Sequence, residues 1–279
     1  MKKLIFFLAF ALCSSSFAQS YNEDGSPVDG IVVKEHIKNK KNLNHAFVCE
    51  ANVLWSKTIW RMIDLREKQN ERLYFPINGS TVDDRRSLVQ VLIDGINSGD
   101  LQAYTPMQSN EFQDSMTLQS VMEKMGADAV DEDEENKVYD ASTIKTEEIK
   151  RFLVKEVWFF DRKYSRLDVR IIGLCPIREY KDEENNATPP RMQQCFWVYF
   201  PQAEPLLSVQ EAFSERNDAQ RESLHDVLIK REFSSYVFKE SNFYNDRAIS
   251  EYAQGVAQNI EANRIQQSIF QKEHDMWEF

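Results

Sequence analysis

Acid–base, nucleophilic or metal chemistry would have to come from histidine, cysteine and clustered carboxylates. The chain holds four His, four Cys and 45 Asp plus Glu. His36 and His45 lie near the start, His225 and His274 near the end, and their spacing is not that of a zinc set. Glu273-His274-Asp275 supplies three ligand types, but adjacent residues on a helix point in different directions. No G-x-S-x-G, P-loop, H-E-x-x-H or C-x-x-C occurs. Between Gly126 and Asn136 stand Asp128, Asp131, Glu132, Asp133, Glu134 and Glu135. A calcium loop needs a glycine at its sixth position and a glutamate at its twelfth, and the run has neither. It reads as a solvated loop. Catalytic, cofactor-binding and metal-binding residues are therefore expected to be none. Two readings stay open beside this one. A hydrolase can use carboxylates far apart in sequence. A glycan-binding module could use Trp158, Phe159, Phe160, Trp197, Tyr199 and Phe200 as a platform. Strands this apolar on both faces usually lie in a core, which is the reading favoured here.

The chain has the layout of an exported protein. Lys2 and Lys3 precede an apolar run, Leu4 to Leu12, and Ser16-Phe17-Ala18 offers a cleavage site. Residues 1–18 are read as a signal peptide. The run is too short for a bilayer span, which needs roughly 20 residues. A lipoprotein signal wants a small residue before its cysteine, and Leu12 before Cys13 is not small. Of 34 basic residues two lie in that peptide, so the mature chain sets 32 against 45 acids, a charge of −13. Nucleic acid and anionic lipid surfaces are poor partners for such a chain. Cys49, Cys175 and Cys195 remain after cleavage. An odd count leaves at least one thiol unpaired within the chain. Cys175 and Cys195 flank a polar loop, where a disulfide or two buried free thiols would both fit.

The elements follow from periodicity. Residues 19–46 lack it and read as an extended arm, locally basic at Lys34, Lys38, Lys40 and Lys41. Residues 47–279 read as a single α+β domain. Trp55, Ile59, Met62 and Ile63 fall on one face of a helix. A second helix is expected from Arg85 to Asn97, stopped by Gly99, and a third from Thr117 to Met125. Strands are expected at Leu153–Phe160, Leu167–Ile177 and Cys195–Phe200, the last closed by Pro201. They suggest a central antiparallel sheet with flanking helices. Ser208 and Glu211 suggest a capping box before another helix. A helix from Ala219 to Arg231, a strand from Ser235 to Lys239 and a long C-terminal helix from Ala248 to Lys272 complete the order. The last carries Ile249, Tyr252, Val256, Ile260 and Ile269 on one stripe.

Several blocks, in order, resemble the GldN/PorN family of gliding-motility proteins. They are Leu54-Trp55-Ser56-Lys57 with Trp60 to Lys68 and Leu73 to Pro76, then Trp158 to Asp161 with Asp168 to Pro176. Phe196 to Pro201, Phe233 to Asn242 and the closing Glu273 to Phe279 follow. The resemblance implies a periplasmic, non-enzymatic structural component of the type IX secretion system. It implies association with a GldK/PorK-like outer-membrane lipoprotein in a large oligomeric ring on the inner face of the outer membrane. It further implies engagement of the periplasmic region of a GldM/PorM-like protein. It implies no cofactor and only indirect membrane contact, through the lipoprotein. The arm and the aromatic end at Trp277 and Phe279 are the expected partner contacts.

Overall fold

A computed structural model of the chain describes residues 39–42, 45–77, 85–107, 111–129, 139–140, 143–181, 190–214, 217 and 221–277. The chain divides into two units, Met1–Asn39 and Lys40–Phe279, and the described helices and strands all belong to the second. The signal peptide, most of the arm with Lys34 and Lys38, and the acidic run from residue 130 to 136 lie outside the described residues.

In chain order the elements are β1 (Val53–Asp64), α1 (Glu71–Tyr74), α2 (Leu88–Ser98), β2 (Ala103–Tyr104) and α3 (Leu118–Lys124). Then come β3 (Ile149–Asp161), β4 (Arg166–Tyr180), β5 (Arg191–Gln194), β6 (Trp197–Tyr199), α4 (Phe200–Ser208), β7 (Glu211–Ala212) and β8 (Glu222–Ser223). The rest is α5 (Leu224–Ile229), β9 (Tyr236–Glu240) and α6 (Val256–Trp277). Among the described residues the main sheet has seven strands in the order β2-β6-β4-β3-β1-β9, with β5 also on β4. Every pairing is antiparallel. The fold is α+β, with the long helix at its C-terminal end.

The helix expected around Trp55 to Ile63 is instead the strand β1, paired with β3 from Trp55↔Phe160 to Asp64↔Arg151. Residues 59–63 are all buried. A dense apolar run satisfies both the helical and the strand period, so only its neighbours decide. The pleat sends Ile59, Arg61 and Ile63 to one face and Trp60 and Met62 to the other. Both faces are covered. On the first, Ile63, Phe152, Val154 and Leu174 pack with α2, α4 and α5 in the main core. On the same face, Ile59, Val237, Ala262, Ile265 and Ile269 make a second core under α6. On the opposite face Trp60, Met62, Leu153, Cys175, Ile177 and Trp197 form a third.

Local signals hold where they are strong. Ser87 caps α2 by accepting from the Gln90 amide at 3.3 Å. Gly99 ends it at φ +83°, a left-handed conformation that glycine adopts without Cβ strain. The expected capping box at Ser208 is absent, and Glu211 lies in β7. The box that forms is at α5, where Ser223 accepts from the Asp226 amide at 3.2 Å and Asp226 accepts from the Ser223 amide at 3.1 Å. Pro201 closes β6 as expected but also opens α4, a helix that the residue pattern did not announce; proline suits a first turn, where its absent N–H is not needed. The C-terminal helix starts later than expected, and its buried stripe is Ala262, Ile265 and Ile269. Val256 and Ile260 face solvent.

Candidate interaction surfaces

Two of the buried carboxylates, Glu156 and Glu111, each gather a cation and an indole N–H. Glu156 is fully buried, in the β3 row Phe152, Val154, Glu156, Trp158, so it sits where the main core gives way to the core under α6. Arg61 in β1 reaches it at 3.3 Å, Arg231 at 2.8 Å, and the Trp158 indole donates to it at 3.1 Å. Arg231 follows α5 at φ +58°, and its guanidinium lies over the Trp158 and Phe233 rings. Burial lowers the Arg61 pKa, and Glu156 opposes this. On the opposite face Glu111, also buried, accepts from the Trp60 indole at 2.8 Å and from Lys155 at 2.6 Å. Burial disfavours its charge, but the Lys155 hydrogen bond and its other donors outweigh that and hold its pKa below the usual value. Each carboxylate is matched by a cation and an indole N–H, which satisfies a buried charge rather than exposing it to a substrate. Among the described residues no group of three His, Cys, Asp or Glu is placed to hold a metal ion.

Of the candidate contact residues, Lys40, Lys41 and the backbone of Trp277 lie within the described residues. Lys40 is bonded to Asp226, and it donates to the Ser223 hydroxyl at 3.2 Å. Burial disfavours the Asp226 carboxylate, but the hydrogen bonds from Lys40 and Ser223 outweigh it and hold the pKa at about 2. His45 pairs with Glu204 at 2.9 Å, and Arg170 donates to the Ala46 carbonyl. Lys40, His45 and Ala46, at the end of the expected arm, are thus bonded to residues of the sheet and helices. Lys41 is exposed. Trp277 ends α6; its side chain and Phe279 lie outside the described residues. His225 stacks on Phe200 at 6.1 Å, and burial lowers its pKa.

Cys175 and Cys195 are free and buried. They do not form the disulfide that their spacing would allow, because Cys175 packs with Trp60 and Trp197 while Cys195 packs in the main core on the other face. Burial raises both thiols, Cys195 to about 12, so neither is a nucleophile at neutral pH. Of the six aromatics of the candidate glycan platform, Phe159, Trp197 and Phe200 are buried, Trp158 and Phe160 half-buried, and Tyr199 exposed. That is core packing, not a sugar-binding face.

The surface carries aromatic side chains instead. Phe243 is fully exposed, and Tyr244 and Tyr252 flank Arg247 at 4.3 and 4.5 Å, beside the exposed Val256 and Ile260 of α6. Among the described residues no helix is long and apolar enough to cross a membrane.

Residues 48–278 match the family described as Gliding motility associated protein GldN. The chain belongs to the GldN family. The match begins just before β1 and runs past the last residue of α6, so it covers the whole sheet with Glu156 and Glu111. Membership makes this a gliding-motility-associated protein. No curated protein matches the chain.

Proposed function

We propose that this chain is a non-enzymatic structural component of the type IX protein secretion and gliding-motility machinery. It works in the periplasm, against the inner face of the outer membrane, after removal of residues 1–18. It assembles with a GldK/PorK-like lipoprotein into a large ring and meets the periplasmic region of a GldM/PorM-like protein. The observation that carries this reading is the family match over residues 48–278. The interior supports it, because the buried carboxylates are engaged by cations and indoles that hold the sheet together. The −11 charge of the full chain favours solubility, and a lipoprotein partner would supply the membrane anchor.

The test is cell fractionation with crosslinking. The mature chain, beginning after Ala18 by N-terminal sequencing, is expected to co-sediment with the outer membrane and to crosslink to the lipoprotein. A chain recovered as an isolated monomer with no lipoprotein partner overturns the proposal. So does a purified chain that turns over a substrate and loses that turnover through one point substitution.

A further inference from the structure

Among the described residues, β4 is paired on both sides only in its second half. On one side β3 accompanies it from Arg166 to Arg178. On the other, β6 begins at Gly173 and β5 at Ile177. From Arg166 to Ile172 that second side has no described strand. The Val169 amide marks the direction, because it donates to the side chain of Asp168 at 2.9 Å. Backbone groups alternate along an antiparallel strand, so those of Leu167 and Ile171 point the same way as those of Val169. A cleft of about 200 Å³ follows this edge. Its lining mixes Arg166 and Arg170 from one face of the pleat with Val169 and Ile171 from the other, which places it along the strand's rim. Arg231 and Leu228 close the far wall.

We propose that this rim is a docking site for an extended, acidic segment of a partner protein, added to the sheet as a strand beside β4. Open edges are templates for such pairing, with backbone bonds supplying affinity and side-chain pockets supplying selectivity. The occupant's charge is set by the lining. Arg166, Arg170, Arg231 and His45 face the cleft; Arg166 pairs with Asp168 at 3.0 Å, Arg231 with Glu156 and His45 with Glu204, so Arg170 is the lining cation that a partner's carboxylate would meet. Arg170 has no carboxylate partner among the described residues; it lies over the Phe159 ring and holds the Ala46 carbonyl. The cleft is smaller than the roughly 300 Å³ at which small-molecule sites begin, and suits a peptide side chain better than a cofactor. Charges on an open edge also keep it from pairing with other edges. Asp168, which both repels acid and occupies the Val169 amide, is the residue that fits that guard role. The inference takes from the assembly reading only that the partner is a protein.

The test uses the purified mature chain and a fluorescein-labelled hexapeptide alternating valine and glutamate, read by anisotropy. The acidic peptide is expected to bind, and its valine–lysine counterpart is not. Methylating the backbone nitrogens of one peptide edge should weaken binding at least about tenfold, since those donors are lost. Arg170→Glu should weaken it by a similar factor of about ten through charge reversal. Asp168→Ala should tighten it. If Arg170→Glu does not fold, Arg166→Glu serves, its side chain being 60% exposed. Equal binding of the methylated peptide, or no effect of either arginine variant, overturns the proposal. Self-association of the chain that Arg170→Glu abolishes assigns the rim to a second copy and overturns the partner reading. Because no secretion component is present in this assay, its failure leaves the assembly proposal standing, and failure of the crosslinking test leaves the peptide result standing.

Discussion

Glu156 and Glu111 are the same chemical device on opposite faces of one sheet. Each is a buried carboxylate that accepts from a tryptophan indole and pairs with a cation. They differ in what they are attached to. Glu156 stands inside β3, and its partners come from β1 and from the turn after α5, so it joins strands and helix across the boundary of two cores. Glu111 stands outside any helix or strand, and its partners Trp60 and Lys155 both belong to the sheet. The first fastens two packed layers, whereas the second fastens a turn to a finished surface. The cost of losing each should follow that difference, because a charge stranded between packed layers has no route to water.

The largest effect is expected at Glu156. Glu156→Gln leaves Arg61 and Arg231 uncompensated and should cost about 3–5 kcal/mol, read as a fall in the urea midpoint at unchanged slope. Replacing Glu156, Arg61 and Arg231 together by apolar residues of similar volume should recover most of that loss, as buried ion networks often allow. If the triple variant is no better than Glu156→Gln, the joint between the cores depends on the charges themselves. Glu111→Ala should cost less, about 1–3 kcal/mol, the penalty for donors left unpaired. Its signature is local, with faster hydrogen exchange around residues 111–116 and little change in β3. Equal losses at the two glutamates would break the comparison.

The clasp of Lys40 on Asp226 is smaller still, since both side chains are about a quarter exposed, at 28% and 24%. Lys40→Ala should cost about 1 kcal/mol or less. Its pH dependence has a definite sign. The folded carboxylate sits at about 2 against an ordinary 3.8, so the folded state favours the ionised form. The contribution is therefore complete above pH of about 4 and is lost as pH falls through about 2. The Lys40→Ala penalty, read from urea midpoints, should be present at neutral pH and absent near pH of about 2. The smallest effect is expected at Arg66, whose side chain is 50% exposed beside Asp64. Arg66→Ala should shift stability by under about 1 kcal/mol, and added salt should mask it.

The parts legible in the sequence were those whose signal is local. Leu88 to Ser98 carries a helical stripe that Gly99 ends as expected, while the Ser87 cap starts the helix three residues after the expected Arg85. The alternation in Leu167 to Ile171 marked β4, and the dense branched residues of Leu153 to Phe160 marked β3. Where two periods fit equally, sequence alone misled, as at β1. Pro201 both ends β6 and lies in the first turn of α4, and only the first role has a local signal. The two glutamates left no trace among 45 acids, since nothing near Glu156 in the chain announces Arg231, and nothing near Glu111 announces Lys155.

The amino-acid sequence by itself determined the α+β class, the helix that Gly99 ends, the paired central strands and the family. These depend on contacts a few residues apart or on patterns that survive without knowing what lies opposite. Only the tertiary structure decided that Trp55 to Ile63 extends instead of coiling, that Cys175 and Cys195 pack in different cores, and that the first half of β4 has a described strand on one side only. In each case the deciding term is burial against a surface supplied by distant residues, and that energy exists only once the sheet has formed.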